Sequence, residues 1–214
     1  MMKKIQNNYL LKKRQVVLRL AKEFVSENGL TKNCLENISK KYRLNIDETD
    51  LLFPQGNIDL IKFALEQLNN DLEVYCRQID LIRLPIHKRI RKVLLSKISL
   101  MNKDKPFYRS IFLNLLIPKK NFSLSNQLYN SVDQIWFIAG DSSTDFNFYT
   151  KRLILSGIYS RVILFFFNNK DQEELENILD ESLKRVSKIP EIKSKLKIFR
   201  DYLPKIANFV KNSH

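Results

Sequence analysis

The sequence predicts an all-α protein: an N-terminal helix-turn-helix bundle followed by a larger helical domain, with about ten helices in total. Its 214 residues include only four Gly and six Pro, whereas an all-β protein needs many turns rich in those residues. Most segments carry apolar residues at steps of three and four, the spacing of one helical face. Hydrophobic residues make up 44% of the chain, which is enough for a sizeable core and too many for wholesale disorder.

Residues 1–57 are predicted to form the N-terminal helix-turn-helix bundle, which we call the front bundle. Gly29 can end the first helix in the left-handed conformation, and Asn33 with Glu36 resembles a capping box for the second. The three predicted helices run from Leu10 to Glu27, from Cys34 to Tyr42, and from Asp47 to the residue before Pro54.

Residues 58–190 are predicted to form the larger domain, and residues 191–214 are predicted to form a separate C-terminal helix. The stretch from Leu153 to Phe167 is apolar nearly all round, so we expect it in the middle of the protein or beside a ligand. At about fifteen residues it is too short to span a membrane, which takes roughly 20. The predicted helices run from a cap at Asn57 to Pro85, then Ile86–Met101, Phe107–Ile117, Ser123–Ala139, Asp145–Phe167, Asp171–Ile189 and Glu191–Val210.

The layout of short helices feeding a larger helical domain through a long connecting helix resembles that of the bacterial TetR regulators. In that layout the third helix enters the DNA groove. Here it carries Asp47, Glu48 and Asp50 and no base, although the chain as a whole has a net charge of +14. Because carboxylates repel phosphates, we expect no nucleic-acid binding. The alternative is a TetR-like DNA-binding regulator with a lipid-sized effector pocket.

No constellation of catalytic or metal-ligating residues is found in the sequence. Cys34 and Cys76 are far apart and match no metal or redox spacing. Asp141, Ser143 and Asp145 have the spacing of a calcium loop, but its sixth and twelfth positions lack the required Gly and Glu. The sequence therefore predicts a protein that is not an enzyme and uses no cofactor or metal.

Trp136 and Phe137 are adjacent aromatic residues in the helix predicted from Ser123. Neighbouring helix positions point about 100° apart, so both rings rarely enter one core. We expect one of the two to reach the surface, where an exposed aromatic ring is a candidate anchor for a partner.

Residues 133–152 read Asp-x-x-Trp-x-x-Ala-Gly-Asp-x-Ser-Thr-Asp-Phe-Asn-x-Tyr-Thr-Lys-Arg. This stretch resembles the signature of the ubiquinone-biosynthesis lipid-binding protein family, the ninth Coq protein of mitochondria and its alphaproteobacterial relatives. Weaker similarity covers most of the chain, including Ile38, Leu51–Gly56 and Leu115–Pro118, whereas the segments after Phe167 depart from the family pattern.

The resemblance implies a TetR-like fold that has given up DNA binding and holds isoprenoid lipids, including quinone intermediates, in a hydrophobic cavity. It implies presentation of that lipid to the demethoxyubiquinone hydroxylase through a patch at Asp133, Trp136 and Phe137, with Trp136 as the expected anchor. The expected location is cytoplasmic, peripheral to the inner membrane, or on the matrix side in a mitochondrion. TetR-like folds usually pair, so a homodimer is left open.

The predicted cavity wall follows from the apolar helix. Each buried CH₂ contributes about 0.8 kcal/mol, so a polyprenyl chain gains much from such a wall. Plain core packing is the alternative reading. The candidate lipid-binding residues are Phe112, Leu116, Leu155, Ile158, Tyr159, Val162, Phe165 and Phe166.

Two basic clusters are candidates for contact with an anionic membrane surface. Residues 184–211 hold nine bases against two acids, beside an apolar stripe that includes Leu196, Phe199, Leu203 and Ile206. This pattern suits an interfacial helix, or else a C-terminal helix docked on the domain with a solvated basic face. Residues 83–105 hold eight bases against one acid. They either belong to the same membrane-binding face or form an ordinary solvent-exposed surface.

Overall fold

The computed structural model describes residues 2–116, 122–141 and 146–187, and every regular element in these ranges is an α-helix. The predicted all-α class is therefore confirmed. Contacts divide the chain into two units, residues 1–170 and 171–214. The helices are α1 (Met2–Asn28), α2 (Cys34–Tyr42), α3 (Ile46–Leu52), α4 (Asn57–Arg77), α5 (Ile86–Asn102), α6 (Lys105–Leu116), α7 (Phe122–Ile138), α8 (Phe146–Asn168) and α9 (Gln172–Ser187).

Local chemistry at the ends of the first three helices agrees in part with the sequence prediction. Gly29 follows α1 with a φ of 71°, as expected for a left-handed helix end. The capping box is wrong: the Asn33 side chain makes no cap hydrogen bond, and Glu36 pairs with Lys40 at 2.5 Å. The cap of α3 is Asn45, whose side-chain oxygen accepts a hydrogen bond from the backbone N–H of Glu48 at 3.2 Å.

The front bundle packs around α1, which contacts α2, α3 and α6. The guanidinium of Arg14 lies over the rings of Phe53 and Phe63, 4.9 and 4.3 Å from their centroids. The apolar core of the front bundle also contains the buried residues Val17, Ala21, Val25, Cys34, Leu35 and Ile38. Because α1 also reaches α6, this bundle packs directly on the larger set of helices.

The larger set is centred on α4 and α7, which pack on each other and on α5. The carboxylate of Asp59 accepts a hydrogen bond from the backbone N–H of Gln55 at 2.8 Å and so fixes the start of α4. The helix ends at Arg77 rather than continuing to Pro85, and turns occupy most of the interval. The buried side chains at its centre include Leu68, Leu72, Val93, Leu94, Met101, Phe107, Val132 and Ile135.

Helix α8 is apolar on both its buried and its exposed faces. One face is buried through Leu155, Tyr159 and Val162, whereas Leu153 on the opposite side is 72% exposed. The expectation that this helix lies in the middle of the protein therefore holds for one face only. Among the described residues, no helix meets the length and hydropathy needed to cross a membrane.

The second unit contributes α9, whose start is fixed by Asp171. The Asp171 carboxylate accepts a hydrogen bond from the backbone N–H of Glu174 at 3.0 Å, and Glu173 and Glu174 lie in the first turn. Acidic side chains at this end complement the positive end of the helix dipole. The predicted membrane residues Leu196, Phe199, Leu203 and Ile206 lie outside the described residues.

Candidate functional site

The charged residues of the 133–152 stretch join α7 to α8. Arg152 is buried, and its Nε donates to Asp133 Oδ1 at 2.5 Å while its Nη1 donates to Asp141 Oδ2 at 3.2 Å. The same guanidinium lies 3.3 Å from the ring centroid of Phe148, and Lys151 Nζ pairs with Asp141 at 2.7 Å. We call Asp133, Asp141, Lys151 and Arg152 the α7–α8 clasp. A planar guanidinium suits this role because it can serve two carboxylates and stack on a ring at once.

The two adjacent aromatic residues point in different directions, as the helical geometry predicted. Trp136 is only 8% exposed, and its indole N–H donates to the backbone oxygen of Lys151 at 3.2 Å. Phe137 is 68% exposed. The anchor role of Trp136 stays a prediction, and the ring that is accessible in this chain is that of Phe137.

The end of α7 is held by Gly140 and Arg89. Gly140 has a φ of 85°, and a Cβ built there would lie 2.9 Å from Arg89 Nη1. Arg89 donates to the backbone oxygens of Ala139, Ile82 and Leu84 at 3.2, 2.7 and 2.7 Å. Only glycine combines the left-handed conformation with this close approach, so the turn that leads to Asp141 is fixed on both sides.

The candidate lipid-binding residues that the structure describes converge from α6 and α8. The ring centroid of Phe112 lies 5.9 Å from that of Tyr159 and 5.6 Å from that of Phe167. Phe112, Leu155, Ile158, Tyr159, Val162 and Phe166 are buried, and Phe165 is half-buried. The side chain of Leu116 lies outside the described residues. The structure thus brings these residues together, and their role in lipid binding stays a prediction.

Lys97 is an interior residue that the sequence analysis placed in a surface cluster of bases. It is 0% exposed, its Nζ donates to Asn69 Oδ1 at 2.8 Å, and it lies 5.4 Å from the Tyr159 ring centroid. Burial lowers its pKa from 10.5 to about 7. A signal was present in the sequence, since Lys97 shares helical spacing with the buried Ile90, Leu94 and Met101.

Two further polar side chains are linked to Lys97, Gln134 through Asn69 and Tyr159 through its ring. Gln134 Nε2 donates to the backbone oxygen of Asn69 at 2.8 Å, which links α7 to the same point on α4. The hydroxyl of Tyr159, the hydroxyl of Ser131 and Oε1 of Gln134 have no hydrogen-bond partner among the described residues. We call Asn69, Lys97, Gln134 and Tyr159 the Lys97 cluster. Burial also raises the pKa of the Tyr159 hydroxyl, which keeps it protonated.

Two bases of the front bundle are paired with acids. Lys13 pairs with Glu48, and Lys41 pairs with Glu27 at 2.8 Å. Asp47, Glu48 and Asp50 give α3 three carboxylates and no base. This charge pattern is unfavourable for contact with a phosphate backbone.

Comparison with known proteins supports the resemblance found in the sequence. Residues 123–190 match a family model described as COQ9. The chain is 25% identical over 172 residues to the mitochondrial ubiquinone biosynthesis protein COQ9 of Rattus norvegicus, covering 77% of this chain and 55% of that protein. It is 24% identical over 190 residues to the Bos taurus protein of the same name, covering 83% and 60%.

A shorter match to the Homo sapiens COQ9 protein has 33% identity over 86 residues, which is 37% of this chain and 27% of that protein. The chain thus spans little more than half the length of the first two relatives. The resemblance to this family that the 133–152 stretch indicated is therefore confirmed.

Proposed function

We propose, on the premise that this chain is related to the COQ9 family, that it is a non-enzymatic accessory protein of ubiquinone biosynthesis. It holds an isoprenoid quinone intermediate among its helices and presents it to the demethoxyubiquinone hydroxylase. The names of the relatives support the pathway. The observation that carries the presenting role is the solvent-exposed Phe137 ring on a helix that the α7–α8 clasp holds in place.

The partner surface that we propose consists of Phe137 and Asp133, which are one helical turn apart on α7. Phe137 is 68% exposed and the Asp133 side chain is 43% exposed. Positions four residues apart share a helix face, so a partner can cover both at once. The buried Trp136 and Arg152 hold α7 against α8, so a partner that binds this surface has little ordering entropy to overcome.

The lipid-holding role is supported by the apolar interior beside α8. Phe112, Tyr159 and Phe167 form contacting aromatic pairs between α6 and α8. An isoprenoid chain that replaces part of this packing keeps its carbons out of water, and each CH₂ is worth about 0.8 kcal/mol. The relatives are named mitochondrial proteins. If this chain also works in a mitochondrion, we propose that it exchanges lipid at the matrix side of the inner membrane. Residues 191–214 would make the membrane contact.

A pull-down with the hydroxylase tests the partner surface. We expect Phe137→Ala to keep the fold and to lower hydroxylase capture at least about tenfold, because truncating a hot-spot aromatic costs about 2 kcal/mol or more and a tenfold loss corresponds to about 1.4 kcal/mol. Leu51→Ala is the matched control, since Leu51 is 81% exposed and lies in the front bundle. Equal capture by the two variants would contradict the proposed surface.

Trp136 needs a different substitution, because removing a buried indole also opens a cavity. Trp136→Phe keeps most of the apolar volume and removes only the hydrogen bond to the Lys151 backbone. We expect it to reduce capture less than Phe137→Ala. A greater loss with Trp136→Phe, at unchanged melting temperature, would restore Trp136 as the anchor.

Lipid content tests the holding role directly. Protein purified without detergent should release isoprenoid lipid on organic extraction, detected by mass spectrometry, at close to one molecule per chain. Flotation with anionic liposomes should weaken when residues 191–214 are deleted. Repeated extraction that yields no lipid would count against the holding role, and equal flotation would place the membrane contact elsewhere.

A further inference from the structure

Polar groups from four helices are linked beside the aromatic pairs, two from buried residues (Lys97 and Tyr159) and two from half-buried residues (Asn69 and Gln134). Asn69 belongs to α4, Lys97 to α5, Gln134 to α7 and Tyr159 to α8. Direct contacts link them: Lys97 to Asn69 at 2.8 Å, Gln134 to the Asn69 backbone at 2.8 Å, and Lys97 to the Tyr159 ring at 5.4 Å. We propose that this Lys97 cluster binds the oxygen-bearing ring of the lipid, with Lys97 and Tyr159 donating hydrogen bonds to its oxygens. The inference rests on the proposed function and names the chemistry that selects the cargo.

Structural stability does not account for Lys97. Its hydrogen-bond partner is the neutral amide of Asn69 rather than a carboxylate, so its charge is not balanced where it is buried. An apolar side chain of similar length would fill the same volume without the desolvation penalty. An ammonium group can donate three hydrogen bonds, and one is made to Asn69.

The hydroxyl of Tyr159 gives an independent indication. The side chain is 0% exposed, and its oxygen has no hydrogen-bond partner in the described part of the chain. The same holds for the hydroxyl of Ser131, which is 1% exposed. Buried polar atoms are nearly always paired, so the orphaned hydroxyl of Tyr159, on a ring whose centroid is 5.4 Å from the buried Lys97 amine, indicates a place for a polar ligand atom.

The chemistry of the cluster favours a neutral oxygenated ring. The donors are the Lys97 amine and the Tyr159 hydroxyl, and carbonyl or hydroxyl oxygens on a ring accept from these groups. An anionic phosphate headgroup is typically held by guanidinium forks and several charges, whereas Lys97 is the one cationic side chain in the cluster. Tyr159 also contacts Phe112, so a ring bound here would have aromatic neighbours.

A cluster of this kind sets specificity. A site that hydrogen-bonds a ring oxygen discriminates strongly against the analogue without it, because the buried donors are then left unpaired. The aromatic pairs alone would accept any chain of suitable length. The Lys97 cluster would therefore make the protein select quinone-type lipids over hydrocarbons of the same length.

Two probes separate the ring from the tail: a ubiquinone-type quinone with a decyl tail, and decylbenzene. We expect the full-length wild-type chain to bind the quinone at least about tenfold more tightly than decylbenzene. Tyr159→Phe removes a single oxygen atom and should weaken quinone binding about tenfold while leaving decylbenzene binding unchanged. Lys97→Met should act in the same direction, and the exposed Lys92→Met on the same helix is the matched control.

The outcomes distinguish this inference from the proposed function. If the wild-type chain binds both probes equally, or if both cluster variants bind the quinone like the wild type, the Lys97 cluster is not the ring site while lipid holding survives. If the wild-type chain binds neither probe, the lipid-holding function fails and this inference fails with it. Loss of phosphatidylglycerol binding in the variants, with quinone binding unchanged, would assign the cluster to an anionic headgroup and overturn the inference.

Discussion

Replacing Lys97 with Met should make the ligand-free protein more stable at neutral pH. The folded chain holds the Lys97 proton with a pKa of about 7, whereas the ordinary value is 10.5. At pH 7 this lowered pKa therefore reduces the free energy of unfolding by about 4 kcal/mol, relative to a lysine whose pKa is the same in both states. Met removes this penalty but leaves the Asn69 side-chain oxygen unpaired, which costs about 1–3 kcal/mol. The net expected gain is about 1–3 kcal/mol, or roughly 2–10 °C in Tm.

The pH dependence gives the sharper test of Lys97. Between pH 7 and 10.5 the unfolded chain binds more protons at this site than the folded chain, so wild-type stability rises with pH. At pH 9 the penalty falls to about 2 kcal/mol, and the advantage of Lys97→Met should shrink by about 2 kcal/mol. Tyr159, whose ring centroid lies 5.4 Å from Lys97 Nζ, has a pKa raised by burial and stays neutral at both pH values.

Urea denaturation followed by far-UV circular dichroism at pH 7 and pH 9 measures this difference. Lys92→Met on α5 is the control, because an exposed lysine should change stability by less than about 0.5 kcal/mol at either pH. A Lys97→Met variant that is less stable than the wild type at both pH values would refute the reasoning. A stability difference that does not change with pH would refute it equally, since the lowered pKa would then have no consequence for folding.

The remaining predictions concern the fixed end of α7 and the clasp. Arg152→Lys should destabilise the fold by about 2–4 kcal/mol in urea denaturation, because a lysine lacks the planar fork whose separate nitrogens reach Asp133 and Asp141 and whose plane stacks on Phe148; an unchanged midpoint would contradict the clasp. Gly140→Ala should lower stability by about 1–3 kcal/mol, since its φ is positive and Arg89 blocks the Cβ. Gly157→Ala is its counterpart: nothing lies within 4 Å of the added Cβ on α8, so stability should rise by about 0.5–1 kcal/mol. Equal effects of the two alanines would show that local backbone geometry does not decide the outcome.

The spacing of apolar residues predicted the helices well, because each helix buries one apolar face and that burial is what mainly stabilises it. The bounds of α2 agree with the structure at both ends, and α5 differs by one residue. Caps were harder, because several polar residues compete at each helix start. Asn45 rather than Asp47 caps α3, and Asn57 donates its side-chain amide to the backbone oxygen of Thr31 instead of capping α4.

The parts of the candidate site that depend on the geometry of a single helix could be predicted from the sequence. The geometry of adjacent residues predicted that one of Trp136 and Phe137 reaches the surface, but not which one, because that depends on where α8 packs. Lys97 was counted among surface bases since a local charge count takes no account of helical position. The orphaned hydroxyl of Tyr159 could not be foreseen at all, because it depends on four helices meeting at one point.

Trp136 is the single tryptophan of the chain, and it lies in the joint between α7 and α8 with Lys151 Nζ 5.5 Å from its ring. Its emission is therefore an intrinsic optical reporter of that joint, with no label needed. A buried indole emits at shorter wavelength than one in water, so opening of the joint should appear as a red shift. Titration with hydroxylase or lipid can then be followed in the native protein at the residue beside the exposed Phe137.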